Sequence, residues 1–320
     1  MLDAHALLWK QDLDQLKQMH TEIATSLQGK KVAFIDIPLY YNVGDILIYL
    51  GTEEFINTHN IDIQYRAFQK NINHSKLKKV DTILFQGGGN FGDLYIKHQS
   101  LREMIIKRYP DKQIVMLPET IYFNSFVEQE KSAKVFRTHK DLTLYVRDTR
   151  SFDIAKSFTD NVKLMPDMAH SLHPLVDAKE VVNQGDKIKR ILNLKRKDIE
   201  SSTNQSALDK QAFDWINMLT LSDHLLLRLF KKMQKLPVIK HKLTKNWKLQ
   251  SDALLFSASN YFLAHEQVHT DRLHGLILAV LLGRQVELFD NSYGKNSAYY
   301  QQWLSANPVI KIHTSVTRPE

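Results

Sequence analysis

Arg272 and His274 stand two residues apart in Val268-His269-Thr270-Asp271-Arg272-Leu273-His274-Gly275, and the apolar run 276–282 follows at once. The pattern predicts a short strand at 267–269 and a helix over 272–282. Backbone N–H groups at a helix start lack partners and attract anions. An arginine there adds a planar, two-pronged donor suited to carboxylate or phosphate. A histidine adds a group that gives or takes a proton near neutral pH. Together they equip an anion-handling active site. The competing reading is a buried helix whose first turn carries two solvated polar residues.

Such residues need elements to hold them, and the chain supplies alternating ones. The first thirty residues read as one amphipathic helix, with Leu8, Leu13, Leu16, Met19, Ile23 and Leu27 on its apolar side and Gly29 as its stop. Strands are expected at 32–37, 61–65, 82–85, 113–117, 142–146 and 162–165. Helices are expected at 46–58, 101–109, 127–138 and 149–158. This alternation implies parallel βαβ units and an open, doubly wound sheet. A linker falls at 173–186, and the strand pattern restarts at 188–194. Strands at 267–269 and 286–289 flank the helix over 272–282. The expected fold class is α/β, with two Rossmann-like doubly wound domains facing a cleft. Residues 1–178 form the N-terminal α/β domain with its leading helix, and 179–320 the C-terminal α/β domain. A ligand would sit between them, near the C-terminal ends of the strands.

Several of those strand ends carry unusual loops. Asn42-Val43-Gly44-Asp45 follows the first strand; Gly44 frees the backbone, and Asp45 either caps the next helix or binds a ligand. Gln86-Gly87-Gly88-Gly89-Asn90-Phe91-Gly92 removes side chains where something must approach closely. It is neither a GxGxxG fingerprint nor a P-loop, so no dinucleotide and no ATP are expected from it. Pro118-Glu119-Thr120 ends another strand. Arg147-Asp148 and Lys195-Arg196-Lys197-Asp198 place cations at two more. Asp167 and His170 stand three apart, but no further ligand motif completes a metal site, and none is expected.

Bulk properties bound the partners. A length of 320 residues suits two domains, and 43% hydrophobic with 24% charged residues is ordinary for a globular chain. Absence of cysteine excludes disulfides and thiolate metal sites. No signal peptide is expected, because the first residues lack a basic stretch before an apolar one. The net charge of +8 points to an anionic partner. The segment 224–247 is a basic insertion, with seven Lys or Arg, no acid and interspersed leucines. It suits either an anionic membrane surface or a solvated cover for the second domain. The basic residues form no nucleic-acid recognition module, so nucleic acid is not an expected partner.

Taken in order, these motifs resemble the polysaccharide pyruvyl transferase family. They are Asn42-Val43-Gly44-Asp45, Gly87-Gly88-Gly89, Leu117-Pro118-Glu119-Thr120, Val146-Arg147-Asp148 with Ser151, Pro166-Asp167-Met168-Ala169, Arg196-Lys197-Asp198, Asp271-Arg272-Leu273-His274-Gly275, and Asp290-Asn291-Ser292-Tyr293-Gly294-Lys295. The resemblance covers roughly residues 30 to 305, and the basic insertion matches none of it. It implies a two-domain fold like that of GT-B glycosyltransferases. It implies transfer of pyruvate from phosphoenolpyruvate onto two hydroxyls of a sugar in an exopolysaccharide or its lipid-linked precursor, with a cyclic ketal formed and phosphate released. His274 and Arg272 are then the catalytic pair, His274 as acid or as base. Arg147, Arg196, Arg272 and Lys295 are the donor-binding candidates. Asn42, Gly44, Asp45, Gly88, Gly89, Asn90, Glu119 and Asp167 are acceptor-binding or structural. Phosphoenolpyruvate is a co-substrate, and no cofactor is implied. The expected location is cytoplasmic, with peripheral contact at the inner face of the membrane open to the basic insertion.

Two rivals make different demands. A nucleotide-sugar glycosyltransferase on the same architecture needs a carboxylate for ribose, for which Glu287 or Asp290 would serve. A non-catalytic component of a polysaccharide assembly would depend on Lys231, Lys232 and Lys235 and not on His274.

Overall fold

The computed structural model describes residues 3–183, 185–195, 213–234, 240–290 and 295–313. Its strands are β1 (Val32–Ile37), β2 (Ile63–Phe68), β3 (Thr82–Phe85), β4 (Gly88–Gly92), β5 (Gln113–Tyr122), β6 (Leu142–Val146), β7 (Val162–Leu164), β8 (Ile191–Leu194), β9 (Gln267–Thr270), β10 (Gln285–Phe289) and β11 (Ile310–His313). They form two sheets, and every pairing is parallel. The first runs β2-β1-β3-β5-β6-β7 with β4 beside β5; the second runs β11-β10-β9-β8. Helices flank the strands, as parallel connections require. β1, β3 and β6 are buried along their whole length, which explains their nearly continuous apolar sequences.

β5 pairs twice. Its first residues lie along β3, and 119–122 lie along β4. The glycine-rich stretch therefore continues the line of β3 as a second short strand. The sequence alone reads it as a loop, because glycine has no β propensity.

One helix joins the two sheets. Val43–Thr58 is buried on nearly every side, from Val43 through Leu50 to Phe55 and Ile56, because apolar residues surround its axis. Asn42 caps it, its side-chain oxygen accepting from the Gly44 N–H at 3.0 Å. It packs on the turn Met168–Leu172, on the helix Leu273–Leu281 and on the helix Lys240–Leu263. Its side chains share one apolar cluster with Leu192, Leu194, Leu276 and Leu278 of the second half.

The leading helix differs from its sequence reading. It is two helices, Ala4–Met19 and Thr21–Leu27, broken at His20. The buried His20 ring reaches Ser171 Oγ at 2.7 Å and donates from Nε2 to the Pro166 carbonyl at 3.1 Å. Leu8 and Met19 face solvent, whereas Trp9 is buried and donates to the Val280 carbonyl at 2.7 Å. The basic segment contributes to the helices Leu221–Met233 and Lys240–Leu263, and β11 is a strand the periodicity did not reveal. Among the described residues, no helix is long and apolar enough to cross a membrane.

Candidate active site

The C-terminal ends of strands from both sheets converge on a cavity of about 430 Å³. Tyr40, Asn42 and Asp45 come from the segment after β1, Gly89 and Asn90 from β4, Thr120 from β5, and Arg147 and Asp148 from the end of β6. Arg272, Leu273 and His274 come from the end of β9 and the helix that follows. Trp215, Asn296 and Tyr299 complete the wall together with His98 and Tyr95.

His274 sits in the first turn of the helix Leu273–Leu281, whose N–H groups have no carbonyl partner within the helix. The helix forms here because Thr270 Oγ1 accepts from the Arg272 N–H at 3.0 Å and residues 276–281 are fully buried and apolar. The ring lies against the start of the helix Val43–Thr58. A Cβ placed on Gly44 would fall 2.5 Å from His274 Nδ1. Gly44 is thus needed for the space its missing side chain leaves. On the other side, His274 Nε2 is 3.5 Å from Asp167 Oδ2 and 3.4 Å from Arg147 Nη1.

Asp167 serves several donors. Oδ2 accepts from Arg147 Nη1, and Oδ1 accepts from the Ala169 N–H at 2.9 Å. Burial works to raise this carboxyl, but the His274 hydrogen bond, the charges of Arg147 and His274 and the Ala169 N–H outweigh it. Asp167 is held well below the usual carboxylate range. Asp45 goes the other way. Burial pushes it up, against the opposing pull of His274, Tyr40 and Arg147. Two carboxyls with opposite shifts thus flank one imidazole, an arrangement that separates a proton carrier from a permanent anion.

Arg147 spans the floor. Its Nε donates to Thr120 Oγ1 at 2.8 Å and its Nη1 to Asp167, leaving Nη2 beside Gly89, where a Cβ would come within 3.2 Å. Arg272 faces it from the second sheet, with Nη2 donating to Asp214 Oδ2 at 2.6 Å. Behind the Gly88–Gly92 strand, Arg102 is fully buried and ion-paired with Glu119. It also lies 3.7 Å from Asp36. Burial pushes Glu119 up to about 7 despite Arg102 and Arg147.

The segment carrying Tyr299 laces the halves together. Asn296 donates to the carbonyls of Asp271 at 2.6 Å and Phe289 at 3.1 Å. Tyr299 Oη accepts from the Asp167 N–H at 3.0 Å, and Trp303 Nε1 donates to the Arg147 carbonyl at 2.8 Å.

Of the sequence candidates, Asn42, Asp45, Gly89, Asn90, Arg147, Arg272 and His274 line the cavity. Gly44 and Asp167 lie directly behind His274, and Gly88 (φ 143°) lies with its Cβ position 3.9 Å from Asp45 Oδ1. Glu119 lies behind the wall as the partner of Arg102. Arg196 and the side chain of Lys295 lie outside the described residues. Sequence reasoning missed Tyr40, His98, Asp214, Trp215, Asn296 and Tyr299. The Asp214-Trp215 pair carries a weak signal, an acid and an aromatic just ahead of a turn.

The family model for polysaccharide pyruvyl transferase matches residues 42–293, from the cap of the helix Val43–Thr58 past the His274 helix. The chain belongs to the polysaccharide pyruvyl transferase family. It is a pyruvyltransferase of polysaccharide biosynthesis. The EpsO protein of Bacillus subtilis (strain 168), named as a pyruvyl transferase, is 35% identical over 91% of this chain and 90% of its own length. Pyruvyl transferase 1 of Schizosaccharomyces pombe (strain 972 / ATCC 24843) is 28% identical over 86% of this chain and 70% of its own. An uncharacterised protein of Klebsiella pneumoniae subsp. pneumoniae NTUH-K2044 shares the fold, with a TM-score of 0.58 and 21% identity over 93% of this chain and 98% of that one. The matched span of this pyruvyltransferase takes in Arg147, Asp167, Arg272 and His274 but stops short of Tyr299 and Trp303.

Proposed function

We propose that this pyruvyltransferase moves the pyruvyl group of phosphoenolpyruvate onto two hydroxyls of one sugar, forming a cyclic ketal and releasing phosphate. The observation that carries this reading is the meeting of Arg147 and Arg272, from different sheets, with His274 and Asp45 in one cavity, Asp167 lying behind the imidazole. A donor with a carboxylate and a phosphate asks for separated guanidinium groups, each able to make forked contacts. Arg147 and Arg272 meet that demand, and the open turn at His274 adds N–H donors.

The chemistry then needs one proton carried to carbon. His274 or Asp45 delivers it to the methylene carbon of the donor, and the carbon bearing the phosphate becomes electrophilic. A first sugar hydroxyl adds there and gives up its proton. The C–O bond to phosphate then breaks, the new ether oxygen stabilises the resulting cation, and a second hydroxyl closes the ring. One proton enters the methyl group, two leave the hydroxyls, and one departs on the phosphate. Asp167, kept ionised, holds Arg147 and the imidazole in place throughout.

The carboxylates that a nucleotide-sugar enzyme would use are engaged elsewhere. Glu287 pairs with His313 and Lys311, and Asp290 accepts from Ser297 at 2.6 Å.

The test is phosphate release from phosphoenolpyruvate with a panel of galactose-, glucose- and N-acetylhexosamine-containing acceptors, read with mass spectrometry of the sugar product. A ketal is expected with at least one acceptor, and R272A and H274A each lower turnover by about 100-fold or more. Binding of a nucleotide sugar in place of phosphoenolpyruvate would overturn the reading.

A further inference from the structure

His98 lines the active-site cavity from the helix Ile96–Arg108, and its ring is held from behind. Nδ1 stands 2.9 Å from Asp36 Oδ1 and 3.1 Å from Oδ2. A carboxylate can only accept, so Nδ1 carries the hydrogen, and the lone pair of the neutral ring falls to Nε2. Among the described residues Nε2 has no hydrogen-bond partner, and the His98 side chain stays 16% exposed while that of Asp36 is fully buried. An imidazole with one nitrogen fixed by a buried carboxylate and the other open to a cavity has the arrangement of a general base.

The carboxylate reaches the ring because β1 is irregular. Its pairing with β2 slips between Phe34 and Ile37. Phe34 and Ile37, three residues apart, pack into the same apolar cluster, whereas Ile35 packs into the one on the other face of the sheet. Strict alternation would put Ile37 on the side of Ile35. Asp36 is thus the extra residue of a bulge, with φ at 64°, a left-handed conformation uncommon outside glycine. The bulge turns its side chain toward the helix Ile96–Arg108, where His98 and Arg102 stand one turn apart. Arg102 Nη2, 3.7 Å from Asp36 Oδ2, sets a fully buried cation beside the carboxylate. Backbone strain of this kind persists where the position of a side chain matters.

Pyruvyl transfer needs a second proton carrier. His274 or Asp45 loses its proton to the methylene carbon, yet the first hydroxyl still has to lose one as it adds. We propose that His98, oriented by Asp36, is the base that takes the proton of this hydroxyl, an assignment that rests on the pyruvyl-transfer reading. As the sugar oxygen bonds to the carbon bearing the phosphate, its proton passes to Nε2. The imidazolium, facing the Asp36 carboxylate, returns that proton to the phosphate oxygen as the C–O bond breaks. The second hydroxyl then restores the proton of the group that protonated the carbon. Two protons leave the hydroxyls, one stays on the methyl group and one departs on phosphate, so both carriers end as they began. Asp36 is the positioning residue of the pair.

The full-length protein, His98→Ala and Asp36→Asn are compared in ketal formation, in phosphoenolpyruvate binding by calorimetry and in the nitrogen NMR signals of His98, assigned by their absence from H98A. H98A is expected to lower kcat at least about 100-fold while acceptor KM and phosphoenolpyruvate affinity stay within about threefold, and added imidazole to restore turnover in proportion to its concentration. Asparagine tolerates the left-handed backbone, so D36N keeps the fold. Its amide donates to Nδ1 where the carboxylate accepted, so the hydrogen is expected to move to Nε2 and kcat to fall about tenfold or more. A raised acceptor KM at unchanged kcat, a loss that imidazole does not restore, or a hydrogen on Nε2 of the neutral ring in the unmodified protein would each overturn the base. Turnover of a nucleotide sugar in place of phosphoenolpyruvate, still lost in H98A and restored by imidazole, would remove the pyruvyl-transfer reading and leave His98 as the base for the acceptor hydroxyl.

Discussion

At the scale of single residues, the site depends on an atom that is absent. Gly44 lets the His274 ring lie against the start of the helix Val43–Thr58, and an added methyl group would fall 2.5 Å from Nδ1. The obstructing atoms belong to a ring wedged between Gly44 and Asp167, so the ring itself has to turn. Gly44→Ala is therefore expected to lower turnover by about 100-fold, as small misplacements of a proton carrier do, while costing only about 1–3 kcal/mol of stability. Steady-state rates beside urea unfolding would separate the two effects; unchanged turnover would show that the ring's position is not critical. Arg272, His274, Asn42 and Asp45 were legible in the sequence because each is a polar residue at a predicted strand-to-helix junction. Asp214 and Tyr299 were not. Asp214 holds Arg272 from 58 residues away, and Tyr299 accepts from the Asp167 N–H across 132. Neither stands in a local pattern that would announce it.

At the scale of elements, the helix Val43–Thr58 sets the tolerances. Gly51 approaches the turn Met168–Leu172 so closely that a Cβ would lie 2.1 Å from the Met168 carbonyl oxygen and 2.8 Å from Ala169 Cα. Both are backbone atoms, so no side chain can swing aside. Gly51→Ala is expected to cost about 2–3 kcal/mol. Gly185→Ala, with nothing within 4 Å of its Cβ position, stays within about 0.5 kcal/mol. Equal Tm values for the two variants would show that the helix can shift on its bed. Strand and helix alternation was readable from apolar runs and their spacing over most of the first half. The helix Lys240–Leu263 was not, because basic residues between its buried Leu243, Trp247, Leu254, Ala258 and Phe262 hid that stripe. β4 was missed for the opposite reason: its glycines say only that space is short, and pairing with β5 is a tertiary fact.

At the scale of the whole molecule, protons report on the packing between the leading helices, the first sheet and the segment after β7. Burial lowers His20 to about 4, His170 to about 3 and His173 to about 4. Their contribution to stability is present above pH 6.5 and is lost as pH falls toward those values. Glu119, raised by burial to about 7, and Asp45, also raised by burial, act in the opposite sense, stabilising at low pH and losing that contribution as pH rises. Between pH 4.5 and 6.5, unfolding thus loads three imidazoles, which outnumber the raised carboxyls it unloads. The net proton uptake makes stability fall on acidification. Urea midpoints at pH 6.5 and pH 5 measure this directly, and a midpoint that rises at pH 5 would contradict it. The two-sheet arrangement was foreseeable from strand counting. The continuity of the apolar cluster across both sheets was not, since it comes from one helix buried on nearly all its faces.

Asp167 has a further consequence. The same carboxylate oxygen accepts from Arg147 and faces His274, so the group expected to grip the donor and the group expected to move its proton compete for one negative charge. When an anionic ligand draws the guanidinium toward itself, more of that charge falls to the imidazole, and the ligand's own charge adds to it. Donor binding then favours a proton on the ring. Thermodynamic reciprocity requires the converse: a proton on the ring tightens the donor. Titrations in buffers of different ionisation heat would count that proton as it enters, and Asp167→Asn, which removes the shared charge, would uncouple the two events.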